Sequence, residues 1–204
     1  MLPSDKKSIL DFNKQAKQEH QIHLELLPEP YLGNPQAKII LLNLNPGFSE
    51  SDILFHRDNA YFAKTSRANL HHEGQEYPFY LLDPKNLAAP GSGWWRRKLR
   101  WLIDRYGLKK VANEICVIEY FPYHSAKFGF REGTPSQRYS YSLVEEAMKS
   151  DALIIQMRSR SLWQNSNPRL SSYHHYYELK NPQTPAISEN NCPDGYRKIL
   201  SILG

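Results

Sequence analysis

Two Asn-Pro pairs are the residues of this sequence whose types and positions could do chemistry. The first pair belongs to Asn45-Pro46-Gly47, which follows the apolar run 37–44. The carboxamide of Asn45 can hold a water molecule and turn its lone pair toward a target. Pro46 fixes the backbone direction, and Gly47 lets a ligand approach the main chain closely or lets the chain take a positive φ. The alternative interpretation is a turn with an Asn cap, because Asn-Pro and Pro-Gly are common turn dipeptides.

The second pair, Asn181-Pro182-Gln183, also follows a short apolar stretch. The elements that would position these pairs can be predicted from the apolar periodicity of the chain, which indicates four strands and five helices in alternation. The strands are expected at 37–44, 115–120, 152–156 and 176–179. The helices are expected from Ser4, over Gly93–Tyr106 with a stop at Gly107, over Ser136–Lys149, around Ser161–Trp163, and at the C-terminus through Tyr196 and Leu203.

This order predicts an α/β fold, a three-layer αβα sandwich with a four-stranded parallel sheet, in one domain spanning residues 1–204. The first strand is continuously apolar, which is typical of burial on both faces. In such sheets ligands bind beyond the carboxyl ends of the strands, where both Asn-Pro pairs would lie. The segment from Phe48 to Pro90 shows little periodicity, so it is either functional or contains short helices that the pattern does not resolve.

Further candidates follow the second and third strands. His124, in the segment Phe121–Ser125, could hydrogen-bond a base or a phosphate, or serve a structural role. Arg158 and Arg160 could meet phosphate as planar forks, or form a solvated charge pair. The basic run from Arg96 to Arg100, beside two tryptophans, is either a patch for a nucleic-acid backbone or the solvent face of a helix.

Composition sets outer limits on the function. The 204 residues carry a formal charge of +5, which fits nucleic-acid binding and equally fits a mildly basic soluble protein. Two cysteines exclude a disulfide scaffold and a four-cysteine metal cluster. Neither 71–73 nor 174–175 has a recognised metal spacing, so no metal and no cofactor are expected. A polar N-terminus and the lack of a long apolar run favour a cytoplasmic protein with no membrane contact.

The two motifs together resemble those of the uracil-DNA glycosylase-like superfamily. The stretch 39–47, Ile-Ile-Leu-Leu-Asn-Leu-Asn-Pro-Gly, is similar to the first motif, and most similar to the mismatch-specific and single-strand-selective branches, where the strand ends in Gly-x-Asn-Pro-Gly. The stretch 179–188 is similar to the second motif, which begins Asn-Pro-Ser or His-Pro-Ser. In architecture the resemblance covers most of the chain, but in sequence only these two stretches.

The resemblance implies excision of an extruded base from DNA, the possible partner. It implies that Asn45 positions the water that attacks the sugar C1′ and that Asn181 bonds the base or a flanking phosphate. An aromatic ring would stack on the base, with Phe55, Tyr61 and Phe62 as candidates and Phe62 favoured. The remaining expected base contacts are Pro46, Gly47, Phe48, Tyr123, His124, Pro182 and Gln183, with Arg158 and Arg160 on phosphates.

Two positions depart from the family pattern. Asn43 stands where the family has Gly, so it either crowds the site or adds a polar contact, and Gln183 stands where Ser is common. The expected function is therefore a DNA glycosylase for uracil or another damaged base. A base- or nucleic-acid-binding member without catalysis is the alternative, and a protein-interaction domain that has lost the site is a third reading.

Overall fold

The computed structural model describes residues 3–204 and has the expected α/β class. Five strands form one sheet in the order β1-β3-β2-β4-β5. The strands are β1 (Tyr31–Leu32), β2 (Ile39–Asn43), β3 (Ile115–Glu119), β4 (Leu153–Gln156) and β5 (Tyr176–Glu178). The last four are mutually parallel, and β1 pairs with β3 in the antiparallel sense.

The central strand explains why helices cover both faces of the sheet. All four apolar residues of β2 are fully buried. Ile39 and Leu41 pack into one hydrophobic cluster, while Ile40 and Leu42 pack into a second cluster on the opposite face. Because successive side chains of a strand point to opposite faces, a continuous apolar strand needs a helical layer on each side.

Eight α-helices are present in the described part of the chain. They are α1 (Pro3–Asn13), α2 (Glu50–Asp58), α3 (Ala60–Leu70), α4 (Ser92–Lys98), α5 (Arg100–Glu114), α6 (Gln137–Lys149), α7 (Arg160–Ser166) and α8 (Pro193–Leu203). The first cluster packs α3, α4, α5 and α8 against one face, and the second packs α6 and α7 against the other. The three-layer arrangement expected from the sequence is therefore present.

Three expectations about the elements need correction. The sheet has five strands rather than four, because β1 is only two residues long and lies between Pro30 and Gly33, where no periodicity could show. The helix predicted over 93–106 is two helices that meet at Leu99. Gly107, with φ at 80°, interrupts the second of them as predicted, but a further helical stretch that was not predicted runs on to Glu114.

The segment 48–90 contains short helices, one of the two alternatives expected for it, namely α2 and α3. Ser49 and Asp52 form a capping box at the start of α2. Asn59 ends α2 and caps α3 by accepting a hydrogen bond from the Phe62 N–H. These reciprocal bonds satisfy N–H groups that a helix start otherwise leaves free. The two helices place side chains such as Asp52, His56 and Phe62 beside the carboxyl ends of the strands.

Three chain segments leave β2, β3 and β4 at the same edge of the sheet. They are Leu44–Gly47, Tyr120–Ser125 and Met157–Arg158, and main-chain hydrogen bonds tie them together. Phe121 N–H donates to Leu44 O, and Met157 N–H donates to Leu42 O. Among residues 3–204 no helix has the length and apolar character needed to cross a bilayer.

Candidate functional site

A cavity of about 450 Å³ opens at this edge of the sheet. Its walls come from the ends of β2, β3 and β4, from α2 and α3, and from the start of α4. Its lining includes the polar, charged and aromatic side chains of Glu29, Asn43, Asn45, His56, Phe62, Trp94, Glu119, His124 and Arg158.

The amide nitrogen of the Asn45 side chain has hydrogen-bond partners, whereas its amide oxygen has none among the described residues. Its Nδ2 donates to the Ser125 Oγ at 3.0 Å and to the Pro46 carbonyl at 2.8 Å. Every neighbour of this nitrogen is an acceptor, which fixes the orientation of the amide. No described residue donates to the Asn45 Oδ1, so that oxygen is available to a water or a ligand.

Gly47 lines the same cavity, but its backbone does not adopt the positive φ that glycine permits. Its φ is not positive, unlike that of Gly91 or Gly107. A Cβ built at this position would meet no atom within 4 Å. Of the two sequence interpretations, only close approach of a ligand to the main chain therefore remains open.

Three buried polar groups of the cavity have atoms without a partner among the described residues. They are the Asn43 Oδ1, the Glu119 Oε2 and the Arg158 Nε. Asn43 and Glu119 face each other across β2 and β3, and the Asn43 Nδ2 donates to the Glu119 Oε1 at 3.0 Å. Since more than nine in ten buried polar groups in proteins are paired, three such atoms in one cavity indicate that bound water or a ligand pairs them.

Burial favours the protonated form of Glu119. Burial raises the pKa of this carboxyl to about 8 and the nearby charge of Glu29 adds to the rise, while the hydrogen bond from Asn43 and the positive charge of Arg158 offset part of it. The side chain is 1% exposed. A neutral carboxyl group can donate one hydrogen bond from its O–H while its other oxygen still accepts, as the Glu119 Oε1 does from Asn43.

On the other side of the cavity, Glu29, His56 and His124 each offer one ligand atom within 4.8 Å of the others. Tyr80 donates its hydroxyl hydrogen to the Glu29 Oε1. Burial lowers the pKa of His56. A histidine and carboxylate set of this kind can bind a metal ion, which the sequence spacing did not predict because the three residues lie on separate elements.

Aromatic side chains complete the walls. Phe62 is 1% exposed and makes T-shaped contacts with Phe55, His56 and Tyr80, so little of its ring is accessible from the cavity. Trp94 is half-buried, and the Arg158 guanidinium lies 5.8 Å from its ring centroid. A ligand that entered between them would meet an aromatic face and a cation.

The structure brings most of the predicted site residues together. Those that line the cavity are Asn45, Pro46, Gly47, Phe48, Phe62, His124 and Arg158. Phe48 also stacks on His23, with ring centroids 3.3 Å apart. His124 is 4% exposed, and both of its ring nitrogens face main-chain carbonyls.

The second Asn-Pro motif lies elsewhere. Asn181, Pro182 and Gln183 are exposed and do not line the cavity. The Asn181 Oδ1 accepts hydrogen bonds from the main-chain N–H groups of Gln183 and Thr184, as an ordinary turn residue does. The expectation that Asn45 and Asn181 face one pocket is therefore not met in this structure.

Two further predicted residues also lie outside the cavity. Tyr123 is a core residue whose hydroxyl donates to Asp5 at 2.7 Å. Arg160 is exposed and pairs with Glu178 at 2.9 Å. Neither contact depends on a ligand, and the exposed pairing of Arg160 fits its alternative interpretation as a solvated charge.

Sequence reasoning missed Glu29, His56, Trp94 and Glu119. Glu119 carried a signal, since it is the one charged residue in the apolar strand 115–119 and stands at its carboxyl end. Glu29 and His56 carried none, because their approach to the cavity depends on how the loop before β1 and the helix α2 fold back.

Comparison with known proteins adds no assignment: no protein-family model matches this chain, and no curated protein or solved structure is significantly similar to it.

Proposed function

We propose that the cavity receives a nucleobase extruded from nucleic acid, and that the chain is a uracil-DNA glycosylase-like protein that cleaves the base from its sugar. The observation that carries this proposal is the orphaned trio of Asn43, Glu119 and Arg158, next to an Asn45 whose oxygen is open. A nucleobase is flat and carries donors and acceptors on its edge. It can therefore pair several buried groups at once while an aromatic wall covers its face.

The three orphans define the edge that they would bind. The Asn43 Oδ1 accepts a hydrogen bond, the Arg158 Nε donates one, and the neutral Glu119 donates a second from Oε2. A base with adjacent donor and acceptor groups on one edge meets this pattern. Replacing such a ligand by one that lacks the polar groups leaves buried atoms unpaired, which is the strongest source of discrimination in binding sites.

Asn45 and Glu119 would divide the chemistry of base excision. A water held by the Asn45 Oδ1 attacks the sugar C1′, its oxygen forms the new C–O bond, and the C1′–N bond breaks with its electron pair going to the base. Glu119 gives its proton to the departing base, and the proton lost by the water passes to solvent. Asn is a weak base, so its contribution is positioning, and proton donation by Glu119 stabilises the leaving group.

Basic side chains lie together on the α4 side of the cavity. Lys98, on α4, has a lowered pKa through partial burial and through the nearby cations Arg158 and Arg97. Trp94 lies one turn earlier on the same helix, and the Lys98 ammonium sits 5.3 Å from its ring centroid. Cations on this side could contact the phosphates of a nucleic acid, while Glu29, Asp52 and Glu119 make other parts of the wall acidic.

Binding without excision is the second candidate. The position of Asn181 favours it, since the second motif supplies no group to the cavity. In this case the orphaned trio would still hold a base, but Asn45 would hold a structural water.

An abasic-site assay separates the two candidates. Oligonucleotides containing uracil, hypoxanthine or a mismatch are incubated with the wild-type protein, with Asn45→Ala and with the matched control Asn181→Ala. Excision predicts strand cleavage after alkali with the wild type and the control, and a loss on the order of 100-fold in Asn45→Ala. Equal, background cleavage by all three proteins refutes excision. Binding of the same DNA that weakens with salt then leaves the second candidate.

A further inference from the structure

We infer that Glu29, His56 and His124 form a binding site for a divalent transition-metal ion of the Zn²⁺ type in the wall of the cavity. Metal binding is measured without any nucleic acid, so this inference stands or falls separately from the proposed function.

The geometry is close to what such an ion needs. The three ligand atoms lie within 4.8 Å of one another. A point between atoms at that spacing is on the order of 2.8 Å from each, and Zn–N and Zn–O bonds are about 2.0–2.2 Å, so shifts of well under 1 Å complete the shell. Two imidazoles and one carboxylate are a set that zinc uses in sites that keep an open position.

His124 already makes the outer contact that a metal-binding histidine makes. Its Nδ1 lies 2.8 Å from the Gly47 carbonyl oxygen, and its Nε2 lies 3.2 Å from the Leu27 carbonyl oxygen. A neutral imidazole has one N–H. When Nδ1 donates to Gly47, Nε2 carries the lone pair that a metal ion would bind. Metal-binding histidines regularly donate their second N–H to a carbonyl in this manner.

The other two ligands are free to coordinate. No described residue forms a hydrogen bond with either ring nitrogen of His56. Tyr80 donates to the Glu29 Oε1 and thereby orients the carboxylate, while the Oε2 has no partner among the described residues. Glu29 is 9% exposed, so its charge is largely removed from water. A buried carboxylate without a cation is costly, which favours an ion at this position.

The site would connect to Asn45 through the main chain. Gly47, whose carbonyl receives the His124 N–H, is two residues from Asn45. Ser125, which follows His124 directly, holds the Asn45 amide. A bound ion would therefore help to fix the two chain segments that supply the hydrogen-bond partners of the Asn45 amide, Pro46 and Ser125.

A second histidine cluster on the surface has to be removed before the measurement. Asp151, His174 and His175 also bring ligand atoms within 4.8 Å, but the aspartate and His174 are exposed and already form an ion pair at 2.9 Å. The background protein for the test therefore carries His174→Ala and His175→Ala, which removes adventitious binding at this cluster.

The experiment titrates chelator-treated background protein with Zn²⁺ by calorimetry and with Co²⁺ by visible absorption. We expect one equivalent of each ion to bind, with the d–d bands of cobalt in a low-symmetry N/O site. His56→Ala and Glu29→Gln should each weaken binding by more than about tenfold, the least that even loss of an outer-sphere partner costs a metal site. Glu29→Gln is isosteric and keeps an oxygen for Tyr80, so it guards against a folding defect in His56→Ala.

His23→Ala is the matched control, since His23 lies beside the cavity, stacked on Phe48, but outside the cluster. It should bind the ions with wild-type affinity. The inference is overturned if the background protein binds neither ion at roughly 100 µM, which is above the range of structural or catalytic zinc sites. It is equally overturned if one equivalent binds unchanged in both His56→Ala and Glu29→Gln.

Discussion

Replacing Glu119 by glutamine should remove a large part of the pH dependence of stability. Glutamine has the same shape, and its Oε1 can still accept the hydrogen bond from Asn43 that Glu119 receives at 3.0 Å. The substitution therefore removes ionisation at this position and changes little else. In the folded protein the Glu119 pKa is about 8, against an ordinary value of 4.5.

The sign follows from where the proton is bound. Between the two pKa values the folded protein holds the Glu119 proton and the unfolded chain does not, so the stability of the wild type falls as pH rises through this range. The stabilisation is complete below pH 4.5 and is lost as pH passes 8. From about pH 5.5 to 8.5 the wild type should lose about 3 kcal/mol relative to Glu119→Gln, an order-of-magnitude figure from the linkage relation.

Urea unfolding of both proteins at several pH values measures this difference directly. The free energy of unfolding of the wild type should fall, relative to that of Glu119→Gln, as pH rises. Two parallel curves would refute the reasoning, because they would mean that Glu119 ionises at an ordinary pKa despite its burial. A similar m-value for the two proteins is the control for an unchanged folded state.

Other predictions concern packing and the second motif. Gly195→Ala should destabilise the protein by about 1–3 kcal/mol in urea unfolding, since its Cβ would lie 2.6 Å from a sulfur atom. Gly74→Ala, with nothing within 4 Å, should change stability by no more than about 0.5 kcal/mol. Trp163→Phe removes the hydrogen bond from Nε1 to the Asn43 carbonyl, 2.7 Å long, and leaves a void, so it should cost about 2 kcal/mol by the same measurement. Asn181→Ala should leave the affinity for DNA, measured by anisotropy, within about twofold of the wild type; a larger loss would return the second motif to the site.

The parallel sheet was predictable because a strand that is buried on both faces has a continuous run of apolar residues in its sequence. A strand such as 39–43, with four fully buried apolar residues, has no other environment in which it is stable. The same logic placed Asn45 and Arg158 at one edge, since the carboxyl ends of parallel neighbours meet there. The two-residue β1 left no pattern to read, and its antiparallel pairing with β3 is a tertiary contact.

The site was predictable only where it follows a strand directly. Asn45, His124 and Arg158 each come within a few residues of a strand end, and all three line the cavity. Asn181 also follows a strand, but β5 is the outer strand of the sheet and its carboxyl end lies away from the centre. Distance across the sheet is set by strand order, which local sequence does not encode.

The orphaned trio could not be predicted from the sequence for a different reason. That Asn43 contributes a polar contact rather than crowding the site depends on its neighbour in the sheet, Glu119. Pairing of β2 with β3 joins residues 76 positions apart, and their register decides which side chains meet.

The most direct test of the central claim is whether the cavity takes up a base from a duplex. The duplex carries a single 2-aminopurine, whose fluorescence rises when the base leaves the stack. We expect the fluorescence to rise on binding to the wild type and to Asn181→Ala. Asn43→Ala should bind the DNA without this rise, and circular dichroism checks the fold of each variant. Binding by the wild type with no rise, or an equal rise with Asn43→Ala, would contradict the claim that the orphaned polar atoms of this cavity hold an extruded base.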